Sequence, residues 1–162
     1  MPKYRRLNKE ELTELEKDFI RFLATNTVTG DDWETLKKEN PDKAEGYVDT
    51  FSDLVFERIL QKAEYMELKS KQDVRTFHCQ EETIKMIGIL IEGDTSLDFT
   101  QNIAPEQMMQ MLSLSQAKLK LYSGERKYRK DRELELFELL EQGALISKDG
   151  ALYKTLQGLK KG

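Results

Sequence analysis

The chain has one histidine and one cysteine among its 162 residues, and the two are neighbours, His78 and Cys79. A zinc site needs a convergent set of Cys and His ligands, which a single pair does not supply. A disulfide needs a second cysteine. Adjacent side chains on a strand point to opposite faces, so His78 and Cys79 do not form a nucleophile and base there. Cys79 shares a face with Phe77 and reads as a small buried apolar residue. Phosphate-cradling glycines are also missing: Gly88 and Gly93 match neither the dinucleotide-binding nor the P-loop spacing. Glu10-Glu11 and Glu81-Glu82 are adjacent pairs, unlike the facing carboxylates of a glycosidase. The longest apolar run, Met86 to Ile91, is too short to span a bilayer. Met1 to Leu23 mixes charged and apolar residues and reads as carrying no signal peptide. With one cysteine, a reducing compartment is expected. These features lead us to expect a cytoplasmic protein of one domain, 1–162, with flexible ends at 1–6 and 158–162, no membrane association and no cofactor.

Charge is abundant, at 35% of residues, with a net value of -4. Its layout is dipolar. From Lys118 to Arg132 there are seven basic residues against two acids, and Glu133, Glu135, Glu138 and Glu141 follow. Lys3, Arg5 and Arg6 form a second basic spot.

Helical signals dominate the first half. Asn8 followed by Glu11 fits an N-cap with its capping-box partner. Leu12, Leu15, Phe19, Phe22 and Leu23 then share a face. Thr29 to Asp32 reads as a turn and new cap, opening a short helix with Trp33 and Leu36. Pro41 is placed to start a third helix running to about Leu68. Its apolar residues cover more than half of the helical wheel, which calls for burial on most sides or for a partner against the outlying Phe56 and Leu60.

After Ser70 the period changes. Val74 to Cys79 and Thr83 to Ile91 are rich in β-branched and aromatic residues and read as a hairpin. A lone hairpin is marginal, so helices or a third strand, with Ser96 to Thr100 as candidate, are needed. Pro105 opens a fourth helix to about Tyr122, and Ser123 to Lys130 is a polar link. Asp131 caps a fifth helix, with Gly143 as its C′ residue. Ser147 or Asp149 caps a last one with Leu152, Leu156 and Leu159 on one face. The fold expected is α+β and mostly helical, about six helices packed on a small antiparallel β-hairpin or three-stranded sheet. A winged-helix alternative makes Ala144 to Ile146 and Ala151 to Thr155 a small wing after the helix Leu134 to Gln142. The leucine spacing favours the closing helix.

Several strings carry a resemblance: Tyr4-Arg5-Arg6-Leu7, Asp31-Asp32-Trp33, Phe51 to Glu57, Leu119-Lys120-Leu121-Tyr122, and Gly143 to Gly150. They are similar to a family of small bacterial proteins with no assigned function, over almost the whole chain. The resemblance implies one domain in a bacterial cytoplasm. It brings no catalytic residue and no ligand with it.

Three candidate sites follow from the residues. The first is the basic segment: Lys118, Lys120, Arg126, Lys127, Arg129, Lys130 and Arg132, interleaved with Tyr122 and Tyr128. Cations on phosphates and aromatics under bases suit RNA or single strands. The same cations suit an acidic protein surface, or simply a solvated helix end paired to the glutamates that follow. The second is an apolar partner face of Phe56, Leu60 and Met109, with Met109 turned about 100° from the core-facing Met108. The third is the acidic loop Glu92, Asp94 and Asp98, whose oxygens suit Mg²⁺ or Ca²⁺ but whose spacing fits no EF-hand. Polar loop residues capping turns explain the same letters. The function expected is a non-enzymatic interaction module, an adaptor or accessory subunit with a protein partner. Nucleic-acid binding through 118–132 and metal-assisted hydrolysis at 92–98 are the alternatives.

Overall fold

The computed structural model describes residues 2–93, 97–101, 103–114 and 118–161, with the backbone alone at 161. Two compact units make up the chain, Met1–Gln61 and Lys62–Gly162. Among the described residues no helix is long and apolar enough to cross a membrane.

The first unit is helical: α1 (Lys9–Glu14), α2 (Glu16–Thr25), α3 (Gly30–Glu39) and α4 (Pro41–Lys62). Asn8 and Glu11 form the capping box expected of them, and Thr29 and Asp32 form a second one ahead of α3. Each box satisfies amides that the first helical turn leaves without partners. The stretch expected as one first helix divides at Leu15, whose backbone leaves the helical region. An aromatic cluster forms much of this unit's interior. Phe19 meets Trp33 edge-on at 5.2 Å and Phe51 at 5.0 Å, and Phe22 lies 5.4 Å from Phe51. Such tilted and edge-on ring pairs add to the stabilisation from burial alone.

A second side of α4 is covered by the N-terminal segment. The Asp53 carboxylate accepts the amides of Lys3 and Tyr4, at 2.8 and 3.1 Å. Ser52, fully buried, accepts the Leu7 amide at 2.9 Å and donates to the Val48 carbonyl at 2.7 Å. Arg6 pairs with Asp49 at 2.6 Å, and Arg5 with Glu11 at 2.8 Å. The Arg5 guanidinium also lies over the Phe56 ring, 4.9 Å from its centroid. The N-terminal cations are therefore engaged within the chain. So is Phe56: the outlying apolar stripe of α4 does not wait for another chain, and both Phe56 and Leu60 are buried.

The second unit holds β1 (Tyr65–Lys69), β2 (Asp73–Cys79), β3 (Thr83–Glu92), α5 (Pro105–Leu114), β4 (Lys118–Lys127), α6 (Arg132–Glu141), β5 (Leu145–Ser147) and α7 (Ala151–Lys161). The strands form one antiparallel sheet in the order β4-β3-β2-β1-β5. The α+β class holds, but the sheet has five strands rather than two or three, and the described residues form seven helices. Three boundaries account for the difference. α4 stops at Lys62, so Tyr65–Lys69 is free to pair with β2. Among the described residues the helix from Pro105 reaches Leu114 rather than Tyr122, and Lys118–Lys127 pairs along all of β3. Leu145–Ser147 adds to β1, while residues 151–155 are helical, which removes the winged-helix alternative.

The proposed strand at 96–100 is absent at its described residues, 97–100, which form a loop and turn. Leu97 and Phe99 instead plug the core. That core lies on the face of the sheet carrying Val74, Ile87, Ile89 and Ile91, under Met108 and Leu112 of α5 and Leu152 and Leu156 of α7. Met109 is half-buried and packs against the same cluster, so it is not the exposed methionine expected from its angle on the helix. On the opposite face, α6 brings Glu135 against Arg126. Gly143 has φ +105°, the left-handed conformation expected of a C′ residue, and the Ala144 amide closes on the Leu139 carbonyl at 3.0 Å.

Candidate functional site

The basic segment becomes a strand because its residues alternate. Lys118, Lys120, Tyr122, Gly124 and Arg126 fall on one face, and Leu119, Leu121, Ser123, Glu125 and Lys127 on the other. Extending the helix from Pro105 to about Tyr122 misses this period of two. The register with β3 places Leu121 opposite Ile89 and Leu119 opposite Ile91, so the two leucines extend the apolar core face to the sheet edge. There they are partly uncovered, with Leu119 43% and Leu121 37% exposed.

Nine residues of this segment were expected to act together. The structure divides them. Tyr122 packs its ring over Gly88 and hydrogen-bonds to Asp73 through its hydroxyl. Burial and the Asp73 carboxylate push its ionisation above the ordinary phenol range. Tyr128 donates to the Gln80 carbonyl at 2.8 Å, and burial pushes its phenol up to about 12. Arg126 pairs at 2.8 Å with the buried Glu135. Burial opposes the charge on Glu135, but the hydrogen bond from Arg126 and the backbone amide of Lys130 outweigh it and lower its pKa. Lys130 is bonded to Glu138. Arg132 turns inward: its guanidinium donates to the carbonyls of Ala63, Cys79 and Gln80 and fixes the start of α6 to the end of β2. These five therefore serve the fold. Lys118, Lys120, Lys127 and Arg129 are exposed and have no ion-pair partner among the described residues.

What β4 offers instead is its backbone. It is the terminal strand of the sheet, ten residues long, and all of it but the half-buried Tyr122 is exposed. The Tyr128 amide donates to the Glu82 carbonyl, while the Ile91 amide donates to Gln72 on the other side of β3. Antiparallel pairing alternates residues that exchange bonds with those that do not. Even-numbered residues of β4 therefore bond to β3. Leu119, Leu121, Ser123, Glu125 and Lys127 direct their amides and carbonyls outward. The opposite edge, β5, is only three residues long.

The other candidates are dispersed. Glu92 ends β3 opposite Lys118. Asp98 accepts the Thr100 amide at 2.9 Å and also the Thr100 hydroxyl, which hold its carboxyl below the ordinary range. Asp94 lies outside the described residues. Among those described, no group of three or more His, Cys, Asp or Glu side chains is placed to hold a metal ion. His78 stacks on Tyr65 at 4.6 Å, and burial followed by the Lys85 charge lowers its pKa. Cys79, on the other face, is buried, which pushes its thiol up to about 12. A groove of about 360 Å³ beside α6 is lined by Arg75, Phe77, Met86, Arg126, Glu135 and Leu139, a mixed wall already internally paired through Arg126 and Glu135.

Fold and edge together define an α+β protein whose sheet ends in a long basic strand. The chain belongs to a family of unknown function (DUF6495), whose model matches residues 1–161 and so takes in both compact units. No curated protein gives a significant match, and neither does any solved structure.

Proposed function

We propose that the chain is a protein-interaction module, an adaptor or accessory subunit rather than an enzyme, and that it receives an extended segment of its partner on the β4 edge. One observation carries this: the terminal strand runs for ten residues, nine of them exposed, with the backbone of every second one directed outward. Such an edge is a template for strand addition, in which main-chain hydrogen bonds supply affinity. Natural sheets guard an edge by keeping it short, twisting it, covering it or charging it. β4 is long, and Lys118, Lys120 and Lys127 along it guard against indiscriminate pairing while leaving its backbone open to a strand of suitable charge.

Proline gives a direct test. The Leu121 amide points away from β3, so Leu121→Pro removes no bond of the sheet but blocks one to an added strand. Captured from its native host, the wild-type chain should recover a defined protein that Leu121→Pro loses, with circular dichroism and thermal midpoint nearly unchanged. Equal recovery by both chains would overturn the proposal. So would recovery of nucleic acid alone, lost on nuclease treatment, which would return the cations to a phosphate-binding role.

A further inference from the structure

We infer that the segment received by β4 alternates acidic and apolar residues, with its acids beside Lys118 and Lys120 and its apolar side chains beside Leu119 and Leu121. This rests on β4 being the docking edge and adds the chemistry of what docks.

Along an antiparallel pair, side chains of both strands fall on the same two faces, and those directly opposite interact. An incoming strand therefore meets two different rows. On the core face it meets Leu119 and Leu121, which continue the apolar layer of Ile91 and Ile89. An apolar side chain there would widen that layer by one strand. On the α6 face it meets Lys118, Lys120 and the half-buried Tyr122. Lys120 lies opposite Leu90, so β3 offers it no acid directly across, whereas Lys118 has Glu92. An incoming carboxylate beside Lys120 supplies the charge that β3 does not. Over its whole length β4 carries four cations and one acid, Glu125, which disfavours a basic strand.

A second copy of the same edge fits less well. In the two self-pairing registers with the longest overlap, Lys118 falls against Arg126 (about Tyr122) or Lys120 against Arg126 (about Ser123), like charges in both cases, and registers that avoid this pair fewer residues. Lysines on an edge also deter indiscriminate pairing, and an acidic segment is the kind of strand they attract.

The test uses three blocked, fluorescein-labelled peptides matched to the ten residues of β4, alternating Val with Glu, Ser or Lys. Titrated with the full chain in anisotropy experiments, the Glu peptide should bind on the order of tenfold more tightly than the Ser peptide, and the Lys peptide more weakly still. Rising salt should erode the preference. Lys118→Glu combined with Lys120→Glu should reverse the order, and these exposed changes leave the core intact. Equal binding of all three peptides, each lost in Leu121→Pro, would overturn the acidic partner and leave the docking edge standing. No peptide binding, with a chain that sediments as a dimer and becomes monomeric in Leu121→Pro, would overturn it in favour of a second copy. Binding unaffected by Leu121→Pro would overturn both the chemistry and the edge.

Discussion

Gly88→Ala tests whether residues 118–127 form the strand described. Gly88 lies opposite Tyr122 in the β3–β4 register, and the tyrosine ring covers the space a side chain would fill. A Cβ at Gly88 would stand 2.2 Å from Tyr122 Cζ and 2.5 Å from its hydroxyl oxygen. Ordinary contact is about 3.5–4.0 Å. The ring must lift off the sheet, and its hydrogen bond to Asp73 goes with it. Overpacking costs about 1–3 kcal/mol, and a lost bond to a charged group about 1.5–3 kcal/mol. Partial relaxation of the half-exposed ring brings the expected total to about 2–4 kcal/mol. With Tyr122→Ala already present there is no ring to displace. Gly88→Ala should then be neutral or stabilise by up to about 1 kcal/mol, since glycine is unfavourable inside a strand. Urea denaturation of the wild type, both single variants and the double variant measures the coupling. A value of about 2 kcal/mol or more is expected. Effects that add to within about 0.5 kcal/mol would refute the placement of Tyr122 over Gly88, and with it the β4 register.

Three further outcomes follow from the same packing. Arg132→Ala should destabilise the second unit by about 3 kcal/mol, because three carbonyls lose a charged donor at a site where the side chain is 14% exposed; a change below about 0.5 kcal/mol in urea denaturation would contradict this. Ser52→Ala leaves the buried Leu7 amide without its acceptor and should cost about 1–3 kcal/mol, with faster proteolysis ahead of α1. His78 has a folded pKa below its ordinary 6.5, through burial, Lys85 and Lys154 against the opposing Glu64. The folded state therefore binds this proton less tightly than the unfolded state. Its stabilising contribution is complete above that ordinary value and declines as pH falls below it. Stability against pH should fall less steeply below pH 6.5 in His78→Gln than in the wild type; matching slopes would contradict the shift.

Where local chemistry decides structure, it was legible. Asn8 with Glu11, Thr29 with Asp32, Pro41, Gly143 and the Ser147–Asp149 cap were all readable because each satisfies or shapes a helix end through residues close in sequence. The hairpin β2–β3 and the burial of Cys79 were readable from alternation and β-branching. The failures are non-local. Tyr65–Lys69 continues a helical pattern without a break in composition, and only β2 and β5 on either side make it a strand. Lys118–Lys127 has leucines that fit either period, and its strand state depends on the whole length of β3. Phe56 looked uncovered because the segment that covers it lies about fifty residues earlier, held by Asp53 and Ser52. The basic composition of 118–132 is plain in the sequence, but its residues divide by position: Arg126, Lys130 and Arg132 are held by groups that the sequence does not place beside them.

Amide-resolved hydrogen exchange along β4 tests the central claim most directly, first on the free chain and then with the alternating Glu–Val peptide. In the free chain the amides of Lys120, Tyr122, Gly124 and Arg126 should be protected by β3, while those of Leu119, Leu121, Ser123, Glu125 and Lys127 exchange rapidly. The peptide should slow the second set and leave the first nearly unchanged. An outward set that is already protected in the free chain, or that stays fast at saturating peptide, would contradict an open edge that receives a strand.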